Sequence, residues 1–145
     1  MFLGTFQHTI DAKGRLFIPA KFRDADGDKE GKFILTQGLD ECLYLFSPDF
    51  FQKNFASRLT SLPVKNQQDA RAFKRLLLAG AQEVSLDDLG RILIPKPLLD
   101  YAGLKKMVSI LGVGERVELW SSVKWEKYQS QSARTFERLG RHLEI

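Results

Sequence analysis

The sequence predicts an α+β protein, mainly β, built from two copies of one module in a single chain. The first observation is a repeat without a gap: residues 4–19 read GTFQHTIDAKGRLFIP and residues 80–95 read GAQEVSLDDLGRILIP. Six of these sixteen positions are identical, whereas a random pairing of that length would match at about one. The second observation is that each copy carries the pattern Asp-x-x-Gly-Arg-aliphatic-x-Ile-Pro. An internal repeat of this kind determines the architecture.

Local patterns give each copy the same order of elements. Residues 2–10 alternate loosely between apolar and polar side chains, which is typical of a strand. The turn sequence Asp-Ala-Lys-Gly follows, and 15–18 is a second short strand, so we expect the two to form a hairpin. A proline then starts a short helix. The second copy shows that helix more clearly, over 95–102 with Gly103 as its end.

The later strands repeat as well, now with an offset of 74 residues. Strands predicted at 33–36 and 43–46 correspond to 108–111 and 117–120. Helices are predicted from 47 or 48 to about 59, over 66–78 and from 121 to about 139. The middle helix is expected to turn Ala70, Phe73 and Leu77 inward. The acidic segment 24–31 is interpreted as a solvated turn, because an EF-hand would need a glutamate in register and flanking helices.

These elements predict a first module at 1–50, a helical connector at 51–79, a second module at 80–122 and a C-terminal helix at 123–145. Half of a 145-residue chain would be marginally stable alone. The two modules are therefore expected to share one core.

The charge balance favours a polyanionic partner. The net charge is +4 and the pI is about 9.3. Residues 1–76 hold 12 Lys and Arg against 9 Asp and Glu, and residues 77–145 hold 10 against 9. Cys42 is the only cysteine and is interpreted as a small core residue, which fits a reducing cytoplasm. We expect no signal peptide and no membrane segment.

The candidate binding groups are the two arginines of the repeat. Arg15 and Arg91 each follow a turn glycine, Gly14 or Gly90, which places each guanidinium near a turn. Asp11 and Asp87 lie four residues earlier and are expected to pair with the arginines or to cap the turn amides. A guanidinium has five donors, so some remain for phosphate or guanine after one carboxylate is bound.

The two turns differ in charge, which favours the first for phosphate contact. The first copy carries His8, Lys13, Arg15, Lys21 and Arg23, and the second carries Asp87, Asp88, Leu89, Arg91 and Lys96. The predicted nucleic-acid contacts are Lys13, Arg15, Lys21, Arg23 and Arg91. Lys13 and Arg15 are the primary contacts, and Arg91 is expected to be mainly structural.

Other sites find less support. The basic stripes of two helices are interpreted as solvated faces, with the residues Arg71, Lys74, Arg75, Lys124, Lys127, Arg134, Arg138 and Arg141. Asp87 and Asp88 with Glu83 could hold a divalent cation for a nuclease or phosphatase, but a turn cap is favoured. No cysteine–histidine pair has ligand spacing. We predict no catalytic residue, metal, cofactor or small-molecule substrate.

The doubled motif, the Phe-Leu-Gly opening and the helix that leads into Leu-Ala-Gly-Ala resemble the MraZ family of bacterial transcription regulators. The resemblance implies two AbrB-like (SpoVT-AbrB) halves that interleave into one small β-barrel with flanking helices. It also implies a homo-oligomeric ring that binds direct repeats in the promoter of the cell division and cell wall gene cluster. The Asp-x-x-x-Arg signature of the family falls on Asp11 with Arg15 and on Asp87 with Arg91.

The expected function is therefore a sequence-specific DNA-binding regulator, a repressor, in the cytoplasm and nucleoid. The helices beyond the barrel, with Phe50, Phe51, Phe55, Trp125 and Phe136, are the expected subunit interface. The alternative that stays open is an AbrB-like protein–protein or scaffold module without specific DNA binding.

Overall fold

The computed structural model of the chain describes residues 1–24 and 30–145. Most of the acidic segment predicted as a solvated turn, 25–29, lies outside the described residues. The first copy contains strands β1 to β4, a short helix and a 3₁₀ turn: β1 (Phe2–Thr9), β2 (Arg15–Phe17), α1 (Ala20–Arg23), β3 (Lys32–Gln37), the 3₁₀ turn (Leu39–Glu41) and β4 (Leu43–Phe46). The second copy repeats the order: β5 (Gln82–Ser85), β6 (Arg91–Leu93), α5 (Lys96–Ala102), β7 (Met107–Gly114) and β8 (Val117–Ser121).

Helical segments follow each copy. The first is a helical run interrupted by a π-turn, with α2 (Pro48–Phe50), the π-turn (Phe51–Phe55) and α3 (Ala56–Arg58). The connector α4 (Gln67–Ala79) and the C-terminal α6 (Ser122–His142) are regular. Side chains at the N-caps define the starts, since Ser47, Asn66 and Ser121 each accept a hydrogen bond from a first-turn amide.

The strands of the two copies pair with each other. A six-stranded antiparallel sheet has the order β1-β7-β8-β4-β3-β5, and a two-stranded ribbon pairs β2 with β6. The first strand of each copy thus lies against the third strand of the other. The predicted hairpin is wrong: β1 pairs with β7, and β2 pairs with β6 rather than with β1. The described strands form two sheets that are not closed into one barrel.

The main core lies between the sheet and the ribbon. The motif residues Leu16 and Ile92 are opposite each other in the ribbon and are both fully buried. They pack with buried strand and helix residues from both copies, among them Ile18, Leu35, Leu45, Ile94, Val108, Ile110 and Leu119. Full burial of such a side chain stabilises a fold by about 1.5 to 3 kcal/mol. The duplication therefore yields one shared core, as expected from the length of the chain.

A second, aromatic cluster covers the opposite face of the sheet. Phe46 contacts Phe55 with ring centroids 4.5 Å apart, and Trp120 contacts Trp125 at 5.3 Å. Phe50 and Phe51 also pack against this cluster. Four aromatic residues expected at a subunit interface thus pack within the chain, whereas Phe136 is 77% exposed. Cys42 belongs to the same cluster, and burial raises the pKa of its thiol.

The connector helix differs in one detail from its predicted face. Ala70 and Leu77 are buried, but Phe73 is 43% exposed, so its prediction as an inward residue is wrong. The hydroxyl of Thr36 on β3 also contacts this helix, because it donates to the carbonyl of Leu77 at 2.7 Å. Among the described residues, no helix is both long enough and apolar enough to cross a membrane.

Candidate nucleic-acid interface

The first turn is organised by the carboxylate of Asp11. Its Oδ1 accepts hydrogen bonds from the backbone N–H groups of Lys13 at 3.0 Å and Arg15 at 2.8 Å. Its Oδ2 accepts one from Nε of Arg15 at 2.7 Å. One carboxylate therefore caps the turn and fixes the arginine side chain at its root.

The second turn repeats this arrangement 76 residues later. Oδ1 of Asp87 accepts from the N–H groups of Leu89 and Arg91, both at 2.9 Å, and Oδ2 accepts from Nε of Arg91 at 2.9 Å. Both roles expected for the aspartates, the ion pair and the turn cap, are thus present together. The repeat in the sequence corresponds to a repeat in hydrogen bonding.

These bonds hold both carboxylates in their ionised form. The pKa of Asp11 is lowered, chiefly by the hydrogen bond from the backbone of Arg15, and that of Asp87 by the equivalent bond from Arg91. Each guanidinium binds its aspartate through Nε alone. Within the described residues, the terminal nitrogens of both guanidinium groups have no hydrogen-bond partner and remain available to a ligand.

Two glycines make the turns possible. Gly14 and Gly90 have φ angles of +88° and +78°, a region that residues with a Cβ avoid. Each turn also rests on the other copy, because Ile18 N–H donates to the carbonyl of Gly90 and Ile94 N–H to that of Gly14, both at 2.9 Å. The turns are therefore held in a fixed relation to each other.

The ribbon brings the two arginines to one surface. Arg15 lies opposite Leu93, and Arg91 lies opposite Phe17. Since the alternate residues Leu16 and Ile92 are buried, these four side chains form the outer surface, which we call the ribbon face. Arg15 and Arg91 are diagonal neighbours, a relation with a typical separation of about 7 to 8 Å. Their side chains are 36% and 27% exposed.

Sequence reasoning missed Phe17 and Leu93 as members of this surface. They are equivalent positions of the repeat, and Leu93 is 57% exposed although it is apolar. Each of them lies two residues after the motif arginine in a short strand. Because side chains at i and i+2 of a strand share one face, this spacing would have placed both on the same surface as the arginines.

The other predicted contacts occupy different positions. Lys13 is exposed in the first turn, and Lys21 is exposed on α1. Arg23 is half-buried, with its guanidinium carbon 5.2 Å from the centre of the Phe17 ring. The His8 ring meets the same phenyl ring edge-on at 4.9 Å.

Two of the three acidic groups considered for a metal site bind other residues, and the third, Asp88, is exposed. Asp87 binds the turn and Arg91, and Glu83 lies 3.7 Å from Lys32. The described part of the chain contains no group of three side chains placed to hold a metal ion.

Comparison with known proteins agrees with the internal duplication of the chain. The family model described as "MraZ protein, putative antitoxin-like" matches the chain twice, over residues 1–76 and 77–142. A protein of Thermoanaerobacter sp. (strain X514) named "Transcriptional regulator MraZ" is 47% identical over 144 residues, 99% of this chain and 97% of that protein. A protein of the same name from Acetivibrio thermocellus is 52% identical over 88% of this chain and 86% of its own length. Another from Carboxydothermus hydrogenoformans is 48% identical over 96% of this chain and 94% of its own length.

Proposed function

The chain belongs to the MraZ family, and on this premise we propose that it is a transcriptional regulator that binds double-stranded DNA through the ribbon face and its two turns. The observation that carries the proposal is the pair of guanidinium groups on one surface, each fixed through Nε and open at its terminal nitrogens. Such a group is ready to bind phosphate oxygens or the edge of a guanine without further ordering.

The proposed roles follow the position of each residue. Arg15 and Arg91 bind the duplex from the ribbon face, and Asp11 and Asp87 orient them. Lys13 and Lys21 are exposed and contact the phosphate backbone, and Arg23 adds charge beside the ribbon face. Phosphate contacts position a protein on DNA, and base contacts specify the sequence.

Several finer parts of the proposal rest on the resemblance. We propose that the regulator is a sequence-specific repressor of the cell division and cell wall gene cluster and acts in the cytoplasm at the nucleoid. We also propose that the two halves form one barrel-like unit and that copies assemble into a ring on direct repeats. Linked units on repeated sites gain affinity through effective concentration.

The exposed end of α6 supports self-association. Phe136 and Leu139 of α6 are 77% and 42% exposed, and Leu143 and Ile145, which follow the helix, are 59% and 98% exposed. An apolar helix end of this kind is typical of a surface that another protein covers. A second copy of the chain is the partner that we propose.

The deciding experiment measures binding to a duplex that spans the region upstream of the chain's own gene. Arg15→Ala should weaken binding at least tenfold in a gel-shift or anisotropy titration at stated salt. Arg134→Ala, which removes an exposed cation far along α6, is the matched control and should bind like the parent chain. Equal binding by a folded Arg15→Ala variant would contradict the proposed site.

A second candidate is a protein–protein module. The antitoxin-like description of the family and the exposed end of α6 favour it. It predicts that the chain purifies without nucleic acid and does not retard the upstream duplex at any salt concentration. Binding of the parent chain to that duplex, lost in Arg15→Ala, would exclude it as the sole function.

A further inference from the structure

Arg23 crosses from its own copy to the turn of the other. It ends α1 in the first copy, yet its guanidinium lies against Gly90 in the second turn. A Cβ at position 90 would be 2.7 Å from Nη1 and 3.0 Å from Cζ of Arg23. The absence of a side chain at Gly90 therefore makes room for this cation.

The equivalent place at the first turn is apolar. Leu99 is the counterpart of Arg23 in the repeat, and its Cδ1 lies 3.0 Å from where a Cβ of Gly14 would be. Equivalent residues of the repeat therefore contact the glycine of the other copy's turn. At the second turn the contacting group is the guanidinium of Arg23, and at the first turn it is a methyl group of Leu99.

The turn residues show the opposite distribution. The first turn carries Lys13, and the equivalent residue of the second turn is Leu89. Among the described residues, each turn thus has a cation besides its motif arginine. The first has Lys13 from its own copy, and the second has Arg23 from the other copy. Arg23 of the first copy thus supplies the positive charge that the second turn lacks in its own sequence.

Arg23 lies against an aromatic ring, and no acidic side chain of the described residues forms an ion pair with it. Its guanidinium lies over the Phe17 ring, and its Nε is buried without a hydrogen-bond partner among the described residues. An aromatic face orients a guanidinium and leaves its edge free for an anion. Asp88 is exposed in the same turn and would repel an anion there, so the neighbouring cation offsets that charge.

We infer that Arg23 and Arg91 together form a composite anion site at the second turn, which takes a phosphate group of the nucleic-acid backbone. The inference rests on the proposed DNA binding and assigns Arg23 to the second turn rather than to its own. Each turn is then assigned a pair of cations, Lys13 with Arg15 at the first and Arg23 with Arg91 at the second.

The test is a set of salt titrations on the upstream duplex. Arg23→Met keeps an apolar side chain and removes the positive charge. Lys13→Met is the matched variant, because it removes one positive charge from the first turn. Each should reduce the slope of log binding constant against log salt by about 1. The effect of Arg23→Met should shrink in an Arg91→Ala background and persist in an Arg15→Ala background. Arg23→Lys should restore part of the slope.

An unchanged slope in Arg23→Met, or a loss that couples to Arg15 instead of Arg91, would overturn the inference while the proposed DNA binding stands. A separate probe covers the case in which the chain binds no DNA. Inorganic phosphate should shift the NMR signals of the Gly90 amide and the Arg23 Nε–H in the parent chain, and the Gly90 shift should vanish in Arg23→Met. No shift in the parent chain would overturn the composite site independently of the DNA-binding result.

Discussion

The backbone N–H of Ile18 donates to the carbonyl of Gly90 at 2.9 Å, so a strand of the first copy supports the turn of the second. Ile94 and Gly14 form the reciprocal bond at the same distance. Neither turn is a local unit, because each rests on the end of the other copy's ribbon strand. A change in one turn should therefore alter the structure of the other.

The aspartates should make the turns sensitive to acid. The pKa values of Asp11 and Asp87 are lowered in the folded chain, whereas the pKa of an aspartate in an unfolded chain is about 3.9. The stabilisation is therefore complete above that pH and is lost as pH falls through the lower, folded pKa. The double variant Asp11→Asn, Asp87→Asn should be less stable at neutral pH and should lose less on acidification. Thermal melts between neutral pH and pH 3 check this, and parallel melting curves would contradict it.

The turn glycines should differ in their tolerance of alanine. Both have positive φ, so either change costs about 1 to 3 kcal/mol in backbone strain. At Gly14 the new Cβ would also lie 3.0 Å from the backbone oxygen of Ile94, which cannot swing away. At Gly90 the nearest atom belongs to the flexible Arg23 side chain. Gly14→Ala should therefore be the more destabilising in urea unfolding, and the reverse order would contradict the described packing.

A lysine in the second turn should strengthen DNA binding. Leu89 is 65% exposed and occupies the position of Lys13 in the repeat. Leu89→Lys should steepen the salt dependence by about one unit of slope, since it adds one phosphate contact. Leu89→Gln is the control that removes the apolar side chain without adding charge. An equal slope in both variants would mean that this turn does not approach the duplex.

The exposed end of α6 should control assembly. The double variant Phe136→Ser, Leu143→Ser should lower the molar mass measured by light scattering during size exclusion, because it removes apolar surface that we propose a second copy covers. Val123→Ser is a matched control at the other end of the same helix, where Val123 is 78% exposed. A parent chain that is already monomeric, or an unchanged mass in the double variant, would contradict self-association through this surface.

The aromatic cluster should depend on one buried carboxylate. Glu118 accepts from Nε and Nη2 of Arg116 at 3.0 and 2.7 Å and from the indole N–H of Trp120 at 3.0 Å. Glu118→Gln should cost about 1 to 3 kcal/mol, because charge-assisted bonds to a buried group are lost. Urea unfolding followed by tryptophan fluorescence measures the loss. The exposed Glu115→Gln is the control and should be near neutral.

The repeat made the elements and the Asp–Arg turns predictable, because both follow from local sequence. The carboxylate of Asp11 forms hydrogen bonds only as far along the chain as Arg15, so the turn sequence alone is enough to predict these bonds. Strand partners were not predictable in this way. The turn closes with the N–H of Asp11 donating to the carbonyl of Arg15. However, β1 pairs with β7, where Phe6 lies opposite Ile110, 104 residues later in the chain. That choice depends on long-range packing.

The position of Arg23 shows the same limit. Its sequence neighbours assign it to the first copy, while the pairing of β2 with β6 carries it to the second turn. Helical spacing alone predicts that Phe73 points inward. In the structure α4 contacts the sheet through Leu77, which accepts a hydrogen bond from Thr36, and the Phe73 side chain is 43% exposed. In both cases the repeat identifies the element, and only the fold identifies its neighbour.

The duplication is inexact, and this has a consequence for how the molecule meets its target. A dimer of identical halves presents the same face after a half-turn and cannot distinguish the two directions along a duplex. Here the repeat places Leu89 where the first copy has Lys13, and Leu99 where the first copy has Arg23. A chain with two unlike ends has a polarity, so a site that it recognises must have a direction as well.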